Sequence, residues 1–456
     1  MTRFAAAGPL RGTLRSPPDK SISHRAALVG AMAQETTRIT GYLDAADTRA
    51  TLAAVRELGA QVATRGPSRT HGGIDLEVTG VGLRGAGAAA GARERSEPSA
   101  IDVQNAGTLL RILPGWLAGQ GAGSWVLDGD ESIRRRPVDR VADPLRAMGA
   151  TVECRDGRLP PLRVEGGSLR GRRHRLSVAS AQVKSCLLLA GLLASDETQV
   201  TEPAPTRDHT ERMLEAAGAE IEVSELRTVP VAGGAPERRI AVRAAERLAP
   251  APVAVPGDFS SAAFWAVAAA IVPGSRVRIQ GVGLNPTRVG LLGILNRMGA
   301  PFEVDEDPAA EIEPRGTISV RHGALAATRV HEGEVALAID ELPLVALLGC
   351  FAEGRTVVSG AAELRHKESD RIAAVVDGLR GLGAEIEAAP DGFSVRGTGG
   401  LAGGAFDSRG DHRLAMLGAV AGLASRDGVE VAGIEAAAVS YPGFEDDLTS
   451  LLAPPG

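Results

Sequence analysis

Cysteine, aromatic residues and long apolar runs are all scarce in this chain of 456 residues, and each shortage excludes something. The three cysteines, Cys154, Cys186 and Cys350, lie far apart, and two sit inside apolar runs. That pattern fits small buried hydrophobes better than a disulfide or metal framework, so no metal site is expected. Only 3% of residues are aromatic while 44% are hydrophobic, which leaves a core of Ala, Val, Leu and Ile. Small side chains allow helices to pack closely. The longest apolar run, Ala262 to Val272, is shorter than the ~18 residues that suggest a membrane span. The N-terminus, Met1-Thr2-Arg3-Phe4 onward, has no adequate apolar region followed by a cleavage site, so the cytoplasm is the expected compartment. General basicity is missing too: the formal charge is −6 and the pI about 5.9. A protein that grips nucleic acid through its overall surface is therefore not expected.

Repetition is what the chain has in place of these. Five amphipathic segments end in the same way, at Leu58-Gly59-Ala60, Met148-Gly149-Ala150, Ala217-Gly218-Ala219, Met298-Gly299-Ala300 and Leu382-Gly383-Ala384. Glycine just past a helix, followed by a short extended stretch, predicts a helix C-cap running into a strand. A sixth segment, Tyr441 to Leu452, starts similarly and stops before its strand. Between these lie six more uniformly apolar segments: Ser21 to Ala33, Ala106 to Ala118, Ala181 to Ala194, Ser260 to Val272, Leu342 to Ala352 and Leu414 to Ala424. A helix apolar around most of its circumference must be enclosed. The chain thus predicts six α/β units, each with one buried and one surface helix joined by short strands.

Extended chain around 249–256 separates the third unit from the fourth, which predicts two domains of three units each. Their expected limits are 20–252 for one, and 1–19 with 253–456 for the other, which takes an N-terminal strand in addition to its three units. The Gly- and Ala-rich stretch Gly82 to Ala92 predicts a flexible surface insertion.

Helix starts carry the polar residues. Asp258, Ser260 and Asn285 fit ordinary N-caps. The arginines do not: Arg111, Arg136, Arg207, Arg371 and Arg413 oppose the helix dipole unless an anion sits beside them. The turns Asp19-Lys20-Ser21-Ile22-Ser23-His24-Arg25, His366-Lys367-Glu368-Ser369-Asp370-Arg371 and Asp411-His412-Arg413 are the densest examples. Several such turns on one chain predict a ligand with more than one anionic group.

These runs, with Asn105-Ala106-Gly107-Thr108 and Arg111, Gly129 to Pro137, Ala179 to Ser185, Thr206 to Met213 and Asp340-Glu341-Leu342-Pro343, resemble the 5-enolpyruvylshikimate-3-phosphate synthase family over nearly the whole chain. The resemblance implies transfer of the enolpyruvyl group of phosphoenolpyruvate to the 5-hydroxyl of shikimate 3-phosphate, with release of phosphate and no bound cofactor. It implies the enolpyruvyl transferase fold, an inside-out α/β barrel arrangement in which sheets and surface helices enclose buried parallel helices. It also implies two globules that close on substrate. A monomer with no nucleic-acid or membrane partner is expected.

Carried onto matching positions, the resemblance implies that Lys20, Ser21, Arg25, Ser180, Ala181, Gln182, Arg207, Asp340 and Lys367 hold shikimate 3-phosphate. It implies that Lys20, Gly107, Arg136, Gln182, Arg371 and Arg413 hold phosphoenolpyruvate, with Asn105, Thr108, Arg111 and His412 in support. Addition and elimination need an acid and a base that work in both directions. Asp340 fits the base on the 5-hydroxyl and Glu368 the proton carrier at the methylene carbon, with Lys20 an alternative to Glu368.

The chain departs from the family pattern at Val439, where many relatives have lysine. The related transferase acting on UDP-N-acetylglucosamine typically keeps a reactive cysteine where this chain has Glu131, which favours the shikimate enzyme. A catalytically silent repeat protein binding anionic metabolites is the remaining alternative, and the presence of both Asp340 and Glu368 argues against it. Glyphosate occupies the phosphoenolpyruvate site in this family. Gly107, having no Cβ, leaves room for that longer ligand, so a sensitive enzyme is expected.

Overall fold

The computed structural model describes residues 1–5, 8–68, 72–89, 97–226, 236–249 and 251–452. The chain divides into two compact units. An amino-terminal unit comprises Pro18–Val231 and Ala235–Val255, and a carboxy-terminal unit comprises Met1–Pro17 and Pro256–Gly456.

The buried helices are Lys20–Met32, Gly107–Ala118 and Ala181–Gly191 in the first unit, and Phe259–Ile271, Leu342–Phe351 and His412–Ala424 in the second. Every residue of Phe259–Ile271 is buried, as its lack of polar residues beyond Ser260 and Ser261 requires. The surface helices are Ala46–Glu57, Asp139–Ala147, His209–Ala216, Gly290–Arg297, Arg371–Gly381 and Phe444–Leu452. They bury one stripe only: Asp139–Ala147 buries Val141, Ala142 and Leu145.

The five repeated glycines all have positive φ, from 80° at Gly299 to 100° at Gly149. At each, the glycine N–H and the following alanine N–H return to carbonyls in the last helical turn, as in Gly149 to Arg146 O and Ala150 to Leu145 O. This satisfies carbonyls that the helix leaves open. The backbone then leaves the helix in the direction of the next strand.

Each complete repeat runs strand, buried helix, strand, surface helix, strand, strand. In the second repeat the sheet order is Ser99–Asp102, Ser124–Asp128, Leu159–Glu165, Thr151–Arg155. The first pair is parallel and the others antiparallel. Two repeats borrow their first strand from elsewhere: Val253–Ala254 pairs in parallel with Ile39 and Thr40, and Arg11–Arg15 pairs in parallel with Arg276–Gln280. The sixth repeat contributes two strands, and Thr2–Phe4 adds the third strand of their sheet, antiparallel to Val429–Val431. Among the described residues the six sheets share no strand, so strand pairing closes no barrel. The architecture is mixed α/β with buried helices enclosed by separate sheets.

Close helix-to-sheet approach depends on small residues. A Cβ on Gly191 would stand 2.5 Å from Val242 Cγ1 and 2.9 Å from Thr198 Cβ. The expected surface insertion begins instead as packed chain: Leu83 and Ala86 are buried, and Leu83 O accepts from Trp116 Nε1 at 2.8 Å. An indole N–H that is buried needs such a partner. The end of that stretch, residues 90–92, lies outside the described residues, as does Pro250 in the expected linker. Cys186 and Cys350 are buried as expected, and burial pushes both thiols up to about 12. Cys154 is only partly buried. No helix among the described residues is long and apolar enough to cross a membrane.

Candidate active site

In the amino-terminal unit the polar helix starts converge on the helix Ala181–Gly191. Asp19 caps Lys20–Met32 by accepting from Ile22 N at 2.9 Å. Lys20, the first helical residue, places Nζ 3.0 Å from Asp47 Oδ2. Asp47 belongs to the next surface helix and is largely buried. One turn further on, Arg25 is buried and donates from Nε to Thr210 Oγ1 at 2.8 Å, from Nη1 to Ser21 O at 2.9 Å and from Nη2 to Ser185 Oγ at 3.0 Å. Arg207 reaches Ser21 Oγ with Nη1 at 3.4 Å.

Ser180 caps the helix Ala181–Gly191 and accepts from Val183 N at 3.4 Å. Gln182, in its first turn, donates to Thr108 Oγ1 at 3.1 Å and accepts from Arg111 Nη1 at 3.0 Å. Arg136 donates to Asn105 Oδ1 at 3.0 Å and Ser132 Oγ at 3.2 Å. The helix that Gly107 opens has Ala106 before it and so no side-chain cap. Its first amides thus lie beside Arg136 and Gln182, an arrangement suited to an anion. A Cβ on Gly107 would come within 2.7 Å of Arg136 Nη1, so the absence of a side chain there is what lets the guanidinium lie across the helix start.

The carboxy-terminal unit centres on Asp340. Its Oδ1 lies 3.2 Å from Arg371 Nη1 and 3.6 Å from Lys367 Nζ, and its Oδ2 lies 3.5 Å from Arg413 Nη2 and 3.8 Å from Arg288 Nη1. Four cations thus lie within 4 Å of one carboxylate. The buried helices of this unit start at acidic residues: Asp258, Glu341 and Asp411 are their N-cap residues. Asp258 accepts from Ser260 N and Ser261 N and pairs with Arg288 at 2.9 Å. Ser260, expected as a cap, sits inside the helix and hydrogen-bonds its hydroxyl to Glu341 Oε1. Asn285 caps only a turn, accepting from Thr287 N at 2.9 Å, since the helix begins at Gly290.

Arg371 is 1% exposed. It donates to Asp411 at 2.8 and 3.2 Å and to Glu368 Oε2 at 2.6 Å, besides Asp340. Burial works against its charge, but Asp411, Glu368 and Asp340 more than offset that, and the guanidinium is held charged more firmly than a free one. Asp411 is pushed up by burial and pulled down further by Arg371, ending below the usual carboxylate range. Glu341 is held above that range, chiefly by burial. His412, which follows Asp411, is buried with Nδ1 4.0 Å from Asp411 Oδ1.

Carboxylates of the chain itself, Asp411, Glu368 and Asp340, thus stand beside the helix start at Arg371. Arg413, 11% exposed at its side chain, makes longer contacts of 3.5 Å to Asp340 and 4.0 Å to Glu341. The structure gathers Lys20, Ser21, Arg25, Gly107, Arg136, Ser180, Ala181, Gln182 and Arg207 in the amino-terminal unit. It gathers Asp340, Lys367, Glu368, Arg371 and Arg413 in the other. Sequence reading missed Asp47, noted Arg288 only as part of the polar helix start Asn285 to Arg288 without giving it a role, and missed Asp411 as the partner of Arg371. Asp47 stands in the first turn of a surface helix, so superposing the repeats would have drawn attention to it. Among the described residues no group of three His, Cys, Asp or Glu side chains is arranged to hold a metal ion. Glu131 is exposed and paired with Arg135.

Six βα-type repeats in two units, with cations and carboxylates clustered at buried helix starts, define a protein of the enolpyruvyl transferase fold. The solved enolpyruvyl transferase NikO from Streptomyces tendae shares that fold, with a TM-score of 0.70 at 18% identity over 99% of this chain and 97% of that one. The family model for EPSP synthase (3-phosphoshikimate 1-carboxyvinyltransferase) matches residues 4–448, and the chain belongs to this family. The 3-phosphoshikimate 1-carboxyvinyltransferase of Synechococcus sp. (strain WH7803) is 46% identical over 98% of this chain and 97% of its own length. One from Thermus thermophilus is 46% identical over 99% of both chains. The structure of EPSP synthase from Acinetobacter baumannii aligns with a TM-score of 0.81 at 38% identity, covering 98% of this chain and 97% of that one.

Proposed function

We propose that this chain transfers the enolpyruvyl group of phosphoenolpyruvate to the 5-hydroxyl of shikimate 3-phosphate and releases phosphate, as a 3-phosphoshikimate 1-carboxyvinyltransferase. The observation that carries the reading is Asp340, a carboxylate ringed by Lys367, Arg371, Arg413 and Arg288, in a chain whose curated relatives of that activity match it end to end. A charged carboxylate among substrate-binding cations can take the proton of a hydroxyl brought against it.

In the addition step the 5-hydroxyl oxygen bonds to C2 of phosphoenolpyruvate, Asp340 takes the hydroxyl proton, and the methylene carbon gains a proton. Glu368 fits as the donor of that proton, with Lys20 as the alternative. In the elimination step the methyl group gives a proton back, the bond from C2 to the phosphate oxygen breaks, and phosphate departs. Ser21, Arg25, Ser180, Ala181, Gln182, Arg207 and Lys367 serve as the shikimate 3-phosphate contacts. Lys20, Gly107, Arg136, Gln182, Arg371 and Arg413 serve phosphoenolpyruvate, where bidentate guanidinium contacts orient its carboxylate and phosphate. Support for the amino-terminal part comes from the uncapped helix start at Gly107 beside Arg136.

The reading includes a cytoplasmic monomer that works without a bound cofactor. Phosphate release from phosphoenolpyruvate tests it: release is expected with shikimate 3-phosphate and not with UDP-N-acetylglucosamine, and the reverse pattern would overturn it.

A further inference from the structure

Lys184, Glu202 and Glu211 form a charge cluster that none of the roles above uses. Lys184 and Glu202 are fully buried at their side chains and Glu211 is 5% exposed. Lys184 Nζ lies 3.1 Å from Glu202 Oε2 and 2.8 Å from Glu211 Oε1. Burial pushes the Glu202 carboxyl up against the pull of Lys184. Taking three ionisable groups out of water carries a desolvation penalty that their mutual attraction offsets only in part, so such a cluster is a poor way to gain stability alone.

What the cluster does locally is hold one residue. Thr206 donates its N–H to Glu202 Oε1 at 3.1 Å and its hydroxyl to Glu202 Oε2 at 2.5 Å, and its carbonyl accepts from Lys184 Nζ at 3.3 Å. All three polar atoms of Thr206 are thereby fixed by buried side chains. Its carbonyl belongs to the peptide unit that enters Arg207, so the plane from which Arg207 departs is fixed too. Thr206 is 4% exposed, whereas Arg207 is only partly buried and reaches Ser21 Oγ. Ser185, next to Lys184, holds Arg25 together with Thr210. One segment of helix thus sets both guanidinium groups.

We propose that Lys184, Glu202 and Thr206 form a positioning device for Arg207, aiming its guanidinium at the phosphate of shikimate 3-phosphate. The inference rests on the role assigned to Arg207 above. Lys184 and Glu202 act through Thr206 and touch no substrate. Binding geometry set this tightly is lost by small displacements, since misplacing a binding group by about 1 Å can cost up to about a hundredfold.

The experiment compares Thr206→Ala, Thr206→Ser, Glu202→Gln and Arg207→Ala by steady-state kinetics and thermal unfolding. In Glu202→Gln, Lys184 keeps Glu211 as its partner, so the buried lysine is not stranded. Thr206→Ala and Glu202→Gln are expected to raise KM for shikimate 3-phosphate by about tenfold, with kcat and KM for phosphoenolpyruvate close to wild type, and Thr206→Ser is expected to restore KM. Variants that unfold at lower temperature with an unchanged KM would overturn the proposal and leave a stability cluster. If Glu202→Gln fails to fold, the Thr206→Ala and Thr206→Ser pair decides alone. An Arg207→Ala protein with wild-type KM would overturn the assignment of Arg207 and this proposal with it. An affected Arg207→Ala beside unaffected Thr206→Ala and Glu202→Gln would overturn this proposal only.

Discussion

Arg413 Nη2 stands 3.5 Å from Asp340 Oδ2, across 73 positions of sequence, which brings the carboxylate proposed as base against a cation proposed to bind phosphoenolpyruvate. The two substitutions should therefore separate. Asp340→Asn keeps the shape and removes the base, so turnover should collapse while shikimate 3-phosphate still binds. Arg413→Ala should weaken phosphoenolpyruvate by about 2 kcal/mol or more, as expected for a largely desolvated charge pair. Near-normal turnover in Asp340→Asn would reject the assignment of the base.

Gly107→Ala should act through Arg136. The new methyl group would lie 2.7 Å from Arg136 Nη1, so the end of that side chain must move. KM for phosphoenolpyruvate should rise, and the inhibition constant for glyphosate should rise more, because the longer ligand meets the methyl group first. Inhibition measured at matched phosphoenolpyruvate checks this, and equal inhibition constants for the two proteins would refute the steric argument.

His24 gives the stability a pH dependence. It is fully buried, hydrogen-bonded through Nδ1 to Thr51 Oγ1 at 2.6 Å, and burial lowers its pKa from 6.5 to about 3. The unfolded chain therefore takes up this proton first as pH falls. The stabilisation is complete above the unfolded value near 6.5 and is lost progressively down to about 3. Between about pH 6 and pH 4 this one group should lower the unfolding free energy by about 1.4 kcal/mol per pH unit. His24→Asn removes the titration and should flatten the wild-type slope by that amount in urea titrations across the range. Identical slopes would show that His24 does not titrate as described.

Gly191→Ala probes the helix-to-sheet contact. With Val242 Cγ1 2.5 Å and Thr198 Cβ 2.9 Å from the new atom, the helix must retreat from its sheet. Overpacking of this kind costs about 1–3 kcal/mol. Gly293→Ala, exposed within the helix Gly290–Arg297 and with the nearest atom the end of Arg297 at 4.0 Å, should instead raise the unfolding midpoint, because alanine in a helix interior is favoured over glycine by about 0.5–1 kcal/mol. Equal midpoints for both variants would show that the contact is slack.

By itself the sequence determined the repeat and both helix classes. A buried helix such as Phe259–Ile271 and a capped end such as Leu145 to Ala150 follow from residues within a few positions of one another, because enclosure needs an apolar circumference and a left-handed cap needs glycine. It also marked the anion-seeking helix starts, since an arginine opposing a helix dipole is visible locally. Only the tertiary structure decided which anion answers each one. Asp411 lies forty positions beyond Arg371, and Asp47 reaches Lys20 from a different helix. An N-terminal strand was expected with the carboxy-terminal units, but the sheet it joins was equally hidden: Thr2–Phe4 completes the sheet of Val429–Ala432 from the other end of the chain. Charge pairing and strand addition join whatever the fold brings within a few ångströms, and that distance is set by packing of the whole unit, which no local spacing of residues encodes.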